Sequence, residues 1–333
     1  MFGHGKFHGW PVSCRSWVRV FQGGVSVHAV MFKFAQSLFS VGALVLLLSG
    51  CATINKVEGL EAVRVEQVVP VARYSDARQR PRLGIAFGGG GVRGFVHLGV
   101  LRALDEAGIR ADTVTGTSAG SIAASLYASG MTYREMETVV RSVSELDLAD
   151  LVIYQQGVIK GRALAEWINE ATGHRRIREL PIALGIAVTD LTNGRALLVV
   201  DGDVGGAVQA SSSVPGAFVP VQSNGTILVD GGVLSLVPVR FARAMGADVV
   251  LAIDIYCGNH VPLRGTAFDN VMKTFRLQGC LLNREEAAAA DFLIRPKFEP
   301  ASATSFKQRE EAIMAGYEEM QAILPELKRR LGR

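Results

Sequence analysis

The chain of 333 residues is 49% hydrophobic and 20% charged, which is enough apolar material for one large α/β domain or two smaller ones. Its formal net charge of +4 comes from the first fifty residues, which hold Lys6, Arg15, Arg19 and Lys33 and no acid, leaving 31 basic against 31 acidic side chains beyond them. With those charges balanced there is no electrostatic case for nucleic acid, and no repeat or low-complexity tract is evident.

From Met31 the sequence reads MFKFAQSLFSVGALVLLLSGCA: one lysine, an apolar run over 38–48, then small residues and Cys51. The run is far shorter than the ~20 residues that span a bilayer as a helix. Leu48-Ser49-Gly50-Cys51 resembles the bacterial lipoprotein signal, in which the cysteine is diacylated and becomes the new amino terminus. On that reading residues 1–30 are a non-native extension before the true start, residues 31–50 are the signal peptide, and Cys51 anchors the protein to the membrane. Ala52 is not the aspartate that retains lipoproteins at the inner membrane, so the expected place is the outer membrane, facing the periplasm. Cys257 and Cys280 could pair in an oxidising periplasm, but read first as two partly buried small apolar residues, and no cysteine spacing fits a zinc site.

Residues 51–80 mix polar and β-branched side chains without a helical period and read as a tether or an edge element. From Leu83 short apolar runs alternate with helical patterns. Strands are expected over 83–87, 113–115, 182–189, 196–200, 226–229 and 249–255. Helices are expected over 95–106, 119–129, 133–143, 161–172, 237–244 and from 306 onward. Strands separated by helices imply a layered α/β fold with a mainly parallel central sheet and helices on both faces. In such sheets sites lie at the carboxyl ends of strands, where the glycine-rich turns fall.

The first of these turns carries Gly89, Gly91 and Gly94, spaced as in the dinucleotide fingerprint G-x-G-x-x-G. That reading requires an acid at the end of the second strand to hold a ribose. Asp112 instead precedes that strand, and its end reads Gly116-Thr117-Ser118-Ala119-Gly120. G-x-S-x-G is the pattern of a nucleophile elbow, a sharp strand-to-helix turn that exposes a serine Oγ where helix N–H groups favour negative charge. A serine needs a base. Ser118, Asp230 and His260 follow the chain order of an α/β-hydrolase triad, but His260 sits in a loop with no other catalytic cue; His97 and His174 have no better claim. Asp230, at a strand end before Gly231 and Gly232, is placed to accept a hydroxyl proton directly.

Taken in order, G-G-G-x-[RK]-G at 89–94, G-x-S-x-G at 116–120 and D-G-[GA] at 230–232 resemble the patatin-like phospholipase family. The resemblance covers roughly 81–255, extends to AVTDLTNGRALLV and SSSVPGAFVPV, and reaches the tail RPKFEPASATSFKQREEAIMAGYEEM. It implies a three-layer catalytic domain over 81–333, with its core motifs in 83–242, and a Ser–Asp dyad without histidine. Ser118 is then the nucleophile and Asp230 the general base. The backbone N–H groups of Gly89, Gly90 and Gly91 form the oxyanion hole, Arg93 fixes that loop, and Gly94, Gly116, Gly120, Gly231 and Gly232 complete the motifs. The implied substrate is a lipid or acyl ester, of the phospholipase A or lysophospholipase type, with no cofactor or metal. Residues 146–159 and 213–221 are candidates for the walls of an acyl pocket. Two other readings remain open at this point: a non-catalytic lipid-binding lipoprotein, and a dinucleotide-binding oxidoreductase.

Overall fold

A computed structural model describes residues 54–70, 80–148, 150, 159–259, 266–302 and 305–333, with backbone alone for 267–269. The signal segment, Cys51, His260 and most of the proposed wall over 146–159 lie outside the described residues.

The stretch read as a tether or an edge element supplies two short strands at edges of the sheet. Asn55–Lys56 (β1) and Glu61–Val63 (β2) are short strands, and the buried Asn55 amide donates to the Lys160 and Val219 carbonyls. Leu83–Phe87 (β3), wholly buried, leads through the glycine loop into Phe95–Glu106 (α1). Thr113–Gly116 (β4) leads into Ala119–Ala128 (α2), and Tyr133–Arg141 (α3) and Arg162–Thr172 (α4) follow. Ala183–Asp190 (β5) and Arg195–Asp201 (β6) form a hairpin. Val204–Ser211 (α5) precedes Val221–Ser223 (β7) and Thr226–Asp230 (β8). Val239–Ala244 (α6) and Val249–Ile253 (β9) continue the chain, then Ala267–Leu282 (α7), Arg284–Ala288 (α8), Phe292–Ile294 (β10) and Arg309–Arg330 (α9).

Strands β10, β9, β3, β4 and β5 run parallel, while β6 pairs antiparallel with β5 and with β2. Side-chain alternation along the central strands feeds two cores. Leu83, Ile85 and Phe87 pack with the apolar faces of α1 and α2, while Ala86 and residues of β9 pack with Val239 and Ala242 of α6. Helices therefore cover both faces of the sheet. Helices α1 and α9 pack closely: a Cβ on Gly99 would fall 1.8 Å from the Ile313 carbonyl oxygen, and one on Gly316 would fall 2.1 Å from that of Val96. Only glycine allows this approach.

The arrangement around β5 decides where the site can be. Ile186 pairs with both Gly116 and Val199, so β4 and β6 flank β5 on opposite sides. Val188 pairs with both Leu197 and Asp230, so β8 lies on the β4 side. Strand β4 runs with β5 and β8 runs against it. The two thus approach each other along one edge of β5 and end head to head, on either side of Ala187.

Cys257 and Cys280 are joined in a disulfide, with Cα atoms 5.6 Å apart; of the two readings, pairing is the one the structure has, not the preferred one of two separate apolar residues. The bridge ties α7 to the segment after β9 across a sequence separation of 23. No sequence pattern foretold the pairing, because α7 had not been anticipated. By loop-closure entropy a bridge of this span contributes about 3 kcal/mol. Chemical denaturation of the Cys257→Ala/Cys280→Ala protein is expected to show a loss of about that size under oxidising conditions and none when both proteins are reduced.

Candidate active site

Ser118 leaves the end of β4 in a conformation side chains seldom adopt, φ 51° and ψ −124°. The turn is held by packing. A Cβ on Gly120 would meet the Phe87 carbonyl oxygen at 2.1 Å, so α2 starts directly against the end of β3. The Ser118 N–H donates to Ser211 Oγ at 2.9 Å, and that hydroxyl donates to the Ala187 carbonyl at 2.7 Å. Asp230 arrives from the opposite direction on β8. Gly231 next to it packs so tightly on Ala187 that a Cβ there would lie 2.3 Å from the carbonyl oxygen. Its neighbour Thr117, on the serine's side, would be met at 3.1 Å. The head-to-head strand ends therefore bring the two motifs together.

Asp230 is 6% exposed. Its carboxylate accepts the Gly232 N–H at 2.7 Å and has the Ser118 side chain as its other hydrogen-bond partner. Burial pushes its pKa from 3.8 up to about 6, with the Ser118 and Gly232 hydrogen bonds holding it from rising further. A carboxylate with that value is a far better proton acceptor at neutral pH than an exposed one.

The glycine loop lies over the serine: a Cβ on Gly89 would come within 3.2 Å of Ser118 Cβ, and one on Gly94 within 3.0 Å of Ala119 Cβ. Its amides are not equivalent. The Gly88 N–H donates to the Ile253 carbonyl at 2.9 Å and the Gly89 N–H to the Leu236 carbonyl at 3.0 Å. Gly89 therefore cannot serve as an oxyanion donor in this arrangement, which corrects the expected set of three. The Gly90 and Gly91 N–H groups have no acceptor among the described residues and remain open. The Arg93 guanidinium donates to the Gly90 carbonyl at 3.2 Å.

No imidazole takes the base position among the described residues. His97 is fully buried with Nε2 2.9 Å from the Gly88 carbonyl. Burial lowers its pKa to about 4, so it stands neutral at pH 7, with Nε2–H donating. His174 is exposed on a surface turn. Asp112, the acid a ribose would require, is engaged at the start of β4 by Arg80, at 2.8 and 2.9 Å, and by the Leu83 N–H at 2.8 Å. Among the described residues no group of three His, Cys, Asp or Glu side chains converges to hold a metal ion.

Of the wall candidates, Ser213 borders the site through its carbonyl, which accepts the Asp230 N–H at 3.0 Å. Ile159 pairs with the following segment at Phe218, and Leu146 is exposed. A groove of about 530 Å³ elsewhere, lined by Val63, Val68, Leu184 and Met245 among others, includes none of these catalytic candidates. Sequence reasoning missed Ser211, although it lies in the SSSVPGAFVPV segment. It also missed Arg276, Glu299 and Tyr256, which meet Arg93 only through the fold.

With this geometry in place, the patatin-like phospholipase family model matches residues 85–243. By that match, residues 85–243 form a patatin-like phospholipase domain. An uncharacterised NTE family protein of Mycobacterium tuberculosis is 29% identical over 198 residues, covering 59% of this chain and 55% of that protein. Patatin-like phospholipase domain-containing protein 6 of Mus musculus is 34% identical over 197 residues, which cover 55% of this chain and 14% of that protein. The chain thus spans only part of the curated relatives it matches. Among solved structures, VipD from Legionella pneumophila aligns with a TM-score of 0.51 at 15% identity, over 82% of this chain and 71% of that one; the likeness is one of fold.

The buried carboxylate has a thermodynamic signature. Its folded pKa lies above the unfolded value of 3.8, so its ionisation costs nothing below pH 3.8 and costs the fold its full amount above about pH 6. A shift of this size corresponds to about 3 kcal/mol. Asp230→Asn should therefore be more stable than the wild type at pH 8, by 1–3 kcal/mol in order of magnitude, with the difference fading towards pH 4. Denaturant unfolding of both proteins across that range measures it.

Proposed function

We propose that the chain is a serine lipid acyl hydrolase that cleaves carboxylic esters with a Ser118–Asp230 dyad. The observation that carries this reading is the strained serine against a buried carboxylate whose pKa is raised to about 6. Asp230 takes the proton from Ser118 Oγ as the oxygen attacks the ester carbonyl. The carbonyl oxygen becomes an oxyanion, which the open N–H groups of Gly90 and Gly91 receive; one such donor is worth about 3 kcal/mol in the transition state. The tetrahedral adduct collapses, Asp230 returns the proton to the departing alcohol, and the acyl group remains on Ser118. Water then gives up a proton to Asp230, attacks the acyl carbonyl, and the serine regains its proton as the acid leaves.

The substrate class we infer is a phospholipid or lysophospholipid, supported by family membership and by the apolar segment 213–221 beside Asp230. The lipoprotein pattern at 48–51 supports a mature protein anchored through Cys51 to the outer membrane, facing the periplasm. An anchored enzyme meets its substrate in the plane of the bilayer.

Hydrolysis of a medium-chain p-nitrophenyl ester and of a phospholipid in mixed micelles tests the activity. Ser118→Ala is expected to lose about 10³-fold or more, and Asp230→Asn 10²–10⁴-fold, with both proteins folded. Because the base must be ionised, kcat/KM should climb as pH rises through about 6 and then level off. Full activity in Asp230→Asn would remove the dyad. For the anchor, Cys51→Ser is expected to move the expressed protein from the detergent phase to the aqueous phase of a cloud-point partition; unchanged partition would remove it.

A further inference from the structure

We infer that Arg276 and Glu299 are positioning residues that aim the Gly91 N–H at the ester oxygen by way of Arg93. The inference rests on the ester-hydrolysis reading of the same site. A glycine run has no side chains to lock its peptide planes, and the N–H groups of Gly90 and Gly91 lack, among the described residues, the backbone acceptors that fix those of Gly88 and Gly89. The hydrogen bonds that hold the Gly90 carbonyl both come from Arg93: its N–H at 3.3 Å and its guanidinium at 3.2 Å. The Gly90 carbonyl and the Gly91 N–H belong to one planar peptide unit, and no cis peptide is present among the described residues. In a trans unit the two groups point in opposite directions. Setting the carbonyl on Arg93 therefore sets the direction of the Gly91 N–H.

Arg93 is itself held by an assembly of buried and half-buried side chains. Its guanidinium pairs with Glu299, with Nε 3.2 Å from Oε2, and Arg276 reaches the same carboxylate with two bonds of 3.1 Å. Both guanidinium groups lie over the Tyr256 ring, Arg93 at 5.4 Å and Arg276 at 4.7 Å from its centroid. Burial alone would raise the Glu299 carboxyl, yet the hydrogen bonds and charges of the two arginines keep it below its ordinary value. Arg276 Nε also donates to the Tyr256 carbonyl at 2.8 Å. The preceding residue, Ile255, fills the space where a Cβ on Gly90 would fall, at 2.7 Å. The disulfide between Cys257 and Cys280 fastens the same segment to the helix that carries Arg276. The Arg93 guanidinium and the Ile255 side chain, which both meet Gly90, are thus set from residues 255–299.

The test uses the full chain carrying Glu299→Gln, Arg276→Gln or Arg276→Lys, assayed on the p-nitrophenyl ester and examined by amide NMR of ¹⁵N-glycine-labelled protein. The expected result for the two glutamine variants is a kcat about tenfold lower with KM within twofold, since a misaimed donor weakens the transition state more than substrate binding. Arg276→Lys keeps the charge but not the fork and should fall between, which keeps the test decisive if a glutamine variant fails to fold. The Gly91 resonance should move while that of Gly59 does not. Combining Glu299→Gln with Arg93→Gln should lose no more than Arg93→Gln alone, because both act on one peptide plane. A kcat within twofold of the wild type, an effect on KM alone, or additive losses would overturn the inference. If the unmodified protein cleaves no ester, the functional reading fails, and an unmoved Gly91 resonance in Glu299→Gln then overturns the positioning inference separately.

Discussion

Everything at this site depends on two strands ending against each other along one edge of a third. Strand β4 travels with β5 as far as Gly116 opposite Ile186, and β8 travels against it as far as Asp230 opposite Val188. Ala187 lies between, and its carbonyl takes the Ser211 hydroxyl while leaving no room for a side chain on Gly231. A serine and an aspartate more than a hundred residues apart are thereby placed by sheet register. Register is enforced by burial on both faces, because a one-residue slip would turn the apolar set of every central strand to the wrong side.

That placement has a thermodynamic cost and a catalytic use. Excluding water from Asp230 destabilises its charge, and the strained serine backbone adds to the burden. The surrounding core, with β3, β5 and β9 buried along their whole length, offsets both. The same dryness raises the pKa of the carboxylate to about 6, which on the proposed reading lets it act as the base without an imidazole. His97, the histidine nearest in sequence, is spent on a structural bond to the Gly88 carbonyl and is held neutral by burial.

Much of this was legible in the sequence because the motifs carry their own steric logic. Strand 83–87 and helix 95–106 were readable to the residue, since the glycine loop punctuates a fully apolar run and an amphipathic one. Ser118 and Asp230 stood out because glycines flank them. Other features were hidden for physical reasons. Strands β1, β2 and β7 are two or three residues long, too short to show a period of two, so residues 51–80 read only as a tether or an edge element. The antiparallel arrival of β8 depends on which edge of β5 is free, which no local pattern records. Likewise, that the Gly89 N–H is taken by Leu236 follows from how the 231–238 segment folds back. The Arg93–Glu299–Arg276 assembly joins residues 206 positions apart in sequence, and Glu299 lies in a tail that the resemblance reached without marking any residue in it.

The central claim is that Ser118 is made nucleophilic by Asp230 alone. Its most direct measurement is the rate at which a fluorophosphonate attaches to the protein, followed by intact mass and peptide mapping across pH 4–9. The account predicts one adduct per chain, on Ser118, forming faster as pH rises through about 6 and forming slowly, without that rise, in folded Asp230→Asn. Labelling at another residue, or labelling of Asp230→Asn at the wild-type rate, would contradict it.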